Sequence, residues 1–129
     1  MSKLLSPWAP QMLSILRIMT ALLFLQHGMA KLLHYPHVAS FDNLQLMSLV
    51  GLAGVIELVG SLLLLVGLFS VPVAFIMSGQ MAVAYFMAHM PRSFIPLLNN
   101  GEAAILFCFV FLYIACAGPG PWSVDAARK

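Results

Sequence analysis

The stretch GLAGVIELVGSLLLL, residues 51–65, carries one carboxyl group, Glu57, in the middle of an otherwise apolar run. The nearest charged side chains in the sequence are Asp42 before it and Arg92 after it. An acidic residue at the centre of a membrane-spanning helix costs on the order of 2.5–3.5 kcal/mol, and such residues generally pair with another polar group. Glu57 is therefore predicted to have a partner in space and is the first candidate functional residue.

The uncharged segment from Leu58 to Pro91 is too long to cross a bilayer only once. As one straight helix it would measure about 50 Å, whereas the hydrocarbon core of a bilayer is about 30 Å thick. The sequence GLFSVP at residues 67–72 supplies a break, because Ser70 can cap a new helix and Pro72 is tolerated in its first turn. This pattern predicts two spanning helices with a turn between them and places Glu57 near the membrane midplane.

The composition excludes an ordinary soluble domain. Of the 129 residues, 62% are hydrophobic and 8% are charged, whereas about a quarter of the residues in a soluble domain are charged. The basic residues are scattered along the chain, so the net charge of +2 does not indicate nucleic-acid binding. The lipid bilayer is the expected partner, and no nucleic acid is expected.

The apolar segments predict four helices, at about residues 10–33, 43–68, 71–90 and 101–117. Asp42 with Gln45 has the spacing of a capping box for the second helix, and Asn99 with Glu102 has it for the fourth. The fourth helix is expected to end at GPGP, residues 118–121, and the tail from Trp122 to Lys129 to return to water.

The predicted fold class is all-α, an integral-membrane four-helix bundle with antiparallel, up-down topology. Residues 1–129 would form a single membrane domain with both termini on one side. Lys3, Arg128 and Lys129 lie on that side, against Lys31 and Arg92 on the other. The positive-inside rule then favours cytoplasmic termini for a multi-pass protein of the bacterial inner membrane.

Arg17 is the predicted partner of Glu57. Measured from the terminus side, Arg17 lies roughly 10–12 Å into the first helix and Glu57 roughly 16 Å into the second. If these helices are neighbours, the two side chains can meet. Two roles stay open for the pair: a structural ion pair that sets helix register, or a catalytic pair in which Glu57 exchanges protons and Arg17 tunes its carboxyl group.

A second polar group is predicted at the opposite end of the bundle, where the first helix ends and the fourth begins. His27, Lys31, His89 and Glu102 are the candidate substrate-binding residues there, suited to a polar headgroup or an anion. The competing interpretations are a helix-capping carboxylate for Glu102 and interfacial hydrogen bonding for the two histidines. Their spacing matches no ligand motif, so no metal site is predicted.

The ordered set of motifs resembles the DoxX-like family of small four-helix membrane proteins. The resemblance extends from about Ile15 to Ala126. It is carried by Arg17, HGMAKL at 27–32, GVIELVG at 54–60, LVGL at 65–68, NNGE at 99–102 and GPGPWSVD at 118–125. The chain departs from many relatives at Phe69-Ser70, where those relatives have a Thr-Arg pair.

This resemblance implies a relation to the DoxD subunit of thiosulfate:quinone oxidoreductase. The family is also linked to quinol oxidase complexes and to thiol and oxidative-stress systems. Arg17, Lys31, Glu57 and Glu102 match its charged positions.

Two functional hypotheses from different classes follow. The first is an accessory subunit of a quinone-linked membrane redox system, with a redox partner subunit, quinone as the candidate cofactor and haem as a weaker one. The alternative is a non-enzymatic membrane scaffold or small-solute carrier. Whether the chain is an enzyme stays open, and a homo-oligomer would suit either hypothesis.

Overall fold

The computed structural model covers all 129 residues and contains helices, turns and loops but no β-strand. In chain order, the helices are α1 (Ser2–Leu5), α2 (Ala9–Leu32), α3 (Leu49–Val66), α4 (Ser70–Ala84), α5 (Pro96–Asn99), α6 (Glu102–Ala117) and α7 (Val124–Ala127). The 3-10 turns are Ser6–Trp8, which joins α1 to α2, and Ala39–Phe41. A π-helical segment, Tyr85–His89, extends α4. The predicted all-α class is therefore confirmed.

Three segments are long and apolar enough to cross a membrane: Ser2–Leu32, Leu49–Val66 and Ser70–His89. The fourth apolar helix, α6, has 16 residues, which corresponds to about 24 Å. The three to four apolar helices are compatible with a membrane bundle. Their shared core is formed by buried side chains that include Phe24, Leu64, Met77, Phe111 and Ile114.

The second long helix begins later than predicted, at Leu49. Ser48 is its N-cap residue, and the Ser48 Oγ accepts a hydrogen bond from the Gly51 N–H at 3.1 Å. Asp42 instead lies in the preceding loop, with its Oδ1 atom 2.8 Å from the His37 Nε2. The capping box predicted from Asp42 does not form, because the chain makes a further turn before the helix starts.

Small residues allow α2 and α3 to approach closely. A Cβ atom added to Gly28 would lie 2.5 Å from the Leu58 backbone nitrogen and 2.8 Å from its Cα. A Cβ atom at Gly54 would lie 3.1 Å from the Cβ of Lys31 in α2. On the side of α3 that faces α4, a Cβ atom at Gly60 would lie 2.6 Å from the Met77 Sδ. The glycine-rich face of α3 therefore packs within the chain, as the small side chains of membrane helices commonly do.

Replacing Gly28 by alanine is expected to lower stability by about 1–3 kcal/mol, the usual cost of overpacking, because the new methyl group would overlap the α3 backbone. The measurement is thermal unfolding in detergent. Gly79→Ala is the matched control. It also replaces a helix-interior glycine, but its new Cβ meets nothing within 4 Å. Equal melting temperatures for the two variants would contradict the close packing of α2 on α3.

The break between α3 and α4 lies where the sequence predicts it. Gly67 adopts a left-handed conformation, with φ of 75°, and its N–H donates to the Leu63 and Leu64 carbonyl groups. This is the usual glycine-terminated end of a helix. The expectation that Ser70 caps α4 is wrong, because the capping oxygen atoms belong to Asp125.

Residues 118–128 fold back onto this break and are called here the C-terminal clasp. The Asp125 carboxylate accepts hydrogen bonds from the Phe69 N–H at 2.9 Å and the Ser70 N–H at 2.8 Å. The Asp125 N–H donates to the Gly67 carbonyl group at 2.9 Å. These residues therefore bind backbone groups that two helix ends leave free, while Trp122, Arg128 and Lys129 stay exposed.

Asp125 should make stability depend on pH. Burial raises its pKa, but the hydrogen bonds from Ser70 and Phe69 and the nearby charge of Arg128 outweigh burial, so the pKa lies below its usual value. Its contribution is therefore present above the unfolded pKa, about 3.9, and is lost as the pH falls through the folded pKa. Asp125→Ala should cost about 0.5–2 kcal/mol at neutral pH, as for other helix caps.

The measurement for this prediction is the melting temperature of both proteins across an acid titration. The gap between wild type and Asp125→Ala should narrow as the pH falls below about 4. A gap that does not change with pH would show that the charge of Asp125 is not what holds the clasp.

Candidate functional site

Glu57 is paired with Lys31. The Lys31 Nζ lies 2.6 Å from Oε1 and 2.7 Å from Oε2 of the Glu57 carboxylate. The side chains are 13% exposed for Lys31 and 2% exposed for Glu57. The Lys31 Nζ also lies over the Phe41 ring, 5.8 Å from its centroid. The prediction that Glu57 finds a polar partner in space is thus correct, but the partner is Lys31.

A third helix contributes to the same site through Gln80 of α4. The Gln80 Nε2 donates to the Glu57 Oε1 at 3.0 Å. The Gln80 Oε1 is also buried and has no hydrogen-bond partner. The Lys31–Glu57–Gln80 cluster therefore joins α2, α3 and α4 and retains one unused acceptor next to a buried ion pair.

Arg17 does not pair with Glu57. It is 1% exposed, and its Nε donates to the Leu64 carbonyl group at 2.8 Å. Its two terminal nitrogen atoms donate to carbonyl groups of the C-terminal clasp, Pro119 and Trp122, the latter at 2.7 Å. The three hydrogen bonds connect α2, the end of α3 and the clasp.

The expected pair fails because the two residues lie at different depths. Gly28 is the α2 residue that packs against the Leu58 backbone, next to Glu57. Arg17 precedes Gly28 by about three turns, or roughly 16 Å of helix. It meets the carboxyl end of α3 instead, where the carbonyl groups of the last turn and the helix dipole favour a cation. Lys31 lies one turn beyond Gly28 and extends back to Glu57.

His27 lies on the exposed side of α2. Its ring packs against Phe24 and Phe107, with centroid separations of 5.4 and 6.2 Å. It makes no side-chain hydrogen bond within the chain.

His89 belongs to a separate network centred on the buried side chain of Asn99. The His89 Nδ1 lies 3.0 Å from the Asn99 carbonyl oxygen. The Asn99 side chain donates to the Tyr85 hydroxyl group at 3.2 Å and to the Ser93 carbonyl group at 2.9 Å, and it accepts from the Gly101 N–H at 2.7 Å. This network holds the loop before α6.

Glu102 is the first residue of α6 and is exposed. The N-cap residue is Gly101, which has no side chain, so the capping box predicted from Asn99 and Glu102 does not form. The acidic group still lies in the first turn, where it complements the helix dipole. No hydrogen bond or ion pair joins any two of the four predicted binding residues, His27, Lys31, His89 and Glu102.

Gln80 and Asp125 were not predicted from the sequence. Gln80 is the one amide side chain in α4, and the reasoning applied to Glu57, that a polar group inside a spanning helix needs a partner, could have identified it. No local signal indicates that Asp125 caps a helix more than fifty positions earlier in the chain. No group of three or more His, Cys, Asp or Glu side chains lies close enough to hold a metal ion.

The model of the DoxX family matches residues 12–90, a range that contains Arg17 and all three residues of the Lys31–Glu57–Gln80 cluster. The chain belongs to the DoxX family. An uncharacterized protein of Haemophilus influenzae is 42% identical over 127 residues, covering 94% of this chain and 93% of the relative. No solved structure matches the chain. The family and the apolar helices together indicate that this DoxX chain is a membrane protein in contact with lipid.

Proposed function

We propose that this DoxX chain is an accessory subunit of a quinone-linked redox system in the bacterial inner membrane, with Glu57 as the group that exchanges protons. The supporting observation is the Lys31–Glu57–Gln80 cluster, in which a buried carboxylate is held by side chains of two other helices. Such a group inside a membrane bundle is retained at a cost in stability and commonly marks a proton or substrate site.

The side chains of the cluster fit the oxygen atoms of a quinone ring. Lys31 can donate to a carbonyl oxygen, and the unused Gln80 Oε1 can accept from a hydroxyl group. A bound quinone would supply two-electron, two-proton chemistry. Glu57 would hold or release a proton at its carboxylate, and Lys31 would stabilise the ionised form. Because Arg17 binds three carbonyl groups, its role in this proposal is structural.

Of the other predicted binding residues, His27 is assigned to the lipid-facing approach to the cluster, because its side chain is exposed and its ring packs against Phe24 and Phe107. His89 and Glu102 are assigned structural roles, in the loop before α6 and in the first turn of that helix. A redox partner subunit or a second copy of the chain would cover part of the exposed apolar surface.

The proposal includes one membrane domain with antiparallel helices and cytoplasmic termini. In support of the antiparallel arrangement, Arg17 contacts Leu64, Gly28 contacts Leu58, and Lys31 contacts Gly54. Residue numbers thus increase along α2 while the numbers of the residues they contact in α3 decrease. For the orientation, the support is the excess of Lys and Arg near the chain ends.

The test is to purify the protein from its native membrane in mild detergent, extract the bound lipids and measure quinone per chain. A reduced-minus-oxidised absorption spectrum would detect haem in the same sample. Stoichiometric quinone in the wild type, lost in a folded Glu57→Gln variant, is the expected result. Glu102→Gln is the matched control, because that carboxyl group is exposed. Wild-type protein without enriched quinone would overturn the cofactor-binding proposal.

A non-enzymatic scaffold or small-solute carrier is the second candidate. The observation that favours it is the direct contact between Lys31 and both Glu57 oxygen atoms, which leaves the charges compensated. In this case, Glu57→Gln would lower the melting temperature, and no quinone would copurify with either protein.

A further inference from the structure

A cavity of about 740 Å3 lies between the start of α4 and the end of α6, where the C-terminal clasp crosses both helices. Residues that line it and bear on its chemistry are Ser70, Val71, Gly118, Asp125, Arg128 and Lys129. The cavity lies at the Ser70 end of α4, close to where α3 ends. Gln80 of the Lys31–Glu57–Gln80 cluster lies ten residues further along α4. It is therefore distinct from the proposed redox site.

One backbone hydrogen-bond donor at this cavity is unused. The Ser70 side chain is fully buried beside the Asp125 carboxylate, whose pKa its hydrogen bond lowers, so its Oγ is not available to a ligand. The Val71 N–H, in the first turn of the 15-residue helix α4, makes no hydrogen bond within the chain. Unpaired donors at the start of a helix, together with the positive end of its dipole, favour an anion.

The charged side chains of the cavity add to this preference. The Arg128 guanidinium lies over the Phe69 ring, 5.4 Å from its centroid. Neither Arg128 nor Lys129 forms a salt bridge with a carboxylate. The one acidic side chain in the lining, Asp125, already accepts hydrogen bonds from the Phe69 and Ser70 N–H groups. The cavity thus keeps two basic side chains available for a ligand.

The position of the cavity indicates where such an anion would come from. The apolar helix α6 ends at Ala117, and the apolar segment Ser70–His89 begins at the cavity. The lining therefore lies where the membrane-spanning segments meet the headgroup layer. Basic pockets between the ends of membrane helices are typical binding sites for anionic phospholipid headgroups.

We infer that this cavity binds the phosphate headgroup of an anionic phospholipid, with the Val71 N–H, Arg128 and Lys129 as the donors. The lipid would bridge α4, α6 and the clasp, and its acyl chains would remain in the surrounding bilayer. This site is independent of any quinone at Glu57.

The test uses the full chain in nanodiscs of phosphatidylcholine with or without phosphatidylglycerol, and measures retained lipid by native mass spectrometry and the melting temperature. Wild-type protein should retain phosphatidylglycerol selectively and melt at a higher temperature when it is present. A basic side chain near an anionic membrane contributes about 1 kcal/mol, so Arg128→Gln with Lys129→Gln should reduce retention by roughly fivefold for each charge removed. Lys3→Gln is the matched control, because it removes a charge near the other terminus and outside the cavity.

Equal retention of the two lipids by the wild type would overturn the inference, as would unchanged retention in the double variant. Inorganic phosphate in phosphatidylcholine nanodiscs separates the two sources of phosphate. If it raises the melting temperature as much as phosphatidylglycerol does, the ligand is free phosphate and the lipid assignment is wrong.

Discussion

Lys31→Met is expected to destabilise the protein by about 3–5 kcal/mol, the usual result of removing one partner from a buried ion pair. The physical reason is that Glu57, 2% exposed, would lose the donor that contacts both its oxygen atoms. Only Gln80 would still donate to the carboxylate. The measurement is thermal or denaturant-induced unfolding in detergent, with Lys3→Met as an exposed control.

The double variant Lys31→Met, Glu57→Met tests the same pair from the other direction. Replacing both charges by apolar groups of similar size is often neutral or stabilising in buried sites, so the double variant should recover most of the lost stability. Its recovery would be incomplete, because the Gln80 amide group would lose its acceptor. The comparison also needs the single variant Glu57→Met. If the losses of stability in Lys31→Met and Glu57→Met simply add in the double variant, the pair seen in the structure does not contribute to folding as a unit.

Arg17→Leu is expected to cost at least about 4.5 kcal/mol, since hydrogen bonds that involve a charged group contribute about 1.5–3 kcal/mol each and three would be lost. It should also release the C-terminal clasp, because two of the three acceptors, the Pro119 and Trp122 carbonyl groups, belong to it. The measurements are the melting temperature and limited proteolysis within residues 118–128.

Arg17→Lys is the matched variant for this prediction. It keeps the positive charge near the carboxyl end of α3, but a lysine cannot reproduce the planar set of donors that reaches three carbonyl groups. An intermediate melting temperature and a partly protected clasp are expected. Arg92→Leu, at an exposed position, should change neither property. The Ser14 Oγ also accepts a hydrogen bond from the Trp122 N–H at 3.0 Å. A protected clasp in Arg17→Leu would mean that this bond and Asp125 hold the segment without the guanidinium group.

The positions of the helices were largely predictable from local sequence. The break at residues 67–72 was located by a length argument and by Gly67, whose left-handed conformation suits glycine. The start of α3 was missed because two candidate caps, Asp42 and Ser48, precede it, and only the path of the loop decides between them. The local sequence therefore indicates where helices occur more reliably than it indicates the residue at which each helix begins.

The partners of the charged residues were less predictable. The absence of a charged neighbour showed that Glu57 must be satisfied by another part of the chain. Both Arg17 and Lys31 lie on the helix that packs against it, so the choice depended on the relative depth of two helices. Gly28 sets that depth, because its missing Cβ is what lets the Leu58 backbone approach.

The sequence by itself determined that this protein is an all-helical membrane protein of the DoxX family, with a buried carboxyl group that requires a partner. These conclusions follow from apolar length, composition and ordered motifs, which are properties of the chain taken one segment at a time. Only the tertiary structure decided that Lys31 and Gln80 hold Glu57 and that Arg17 and Asp125 hold the clasp. The physical reason is that hydrogen bonds and ion pairs depend on the relative depth and rotation of packed helices, which the close contacts of small residues set only when the chain folds.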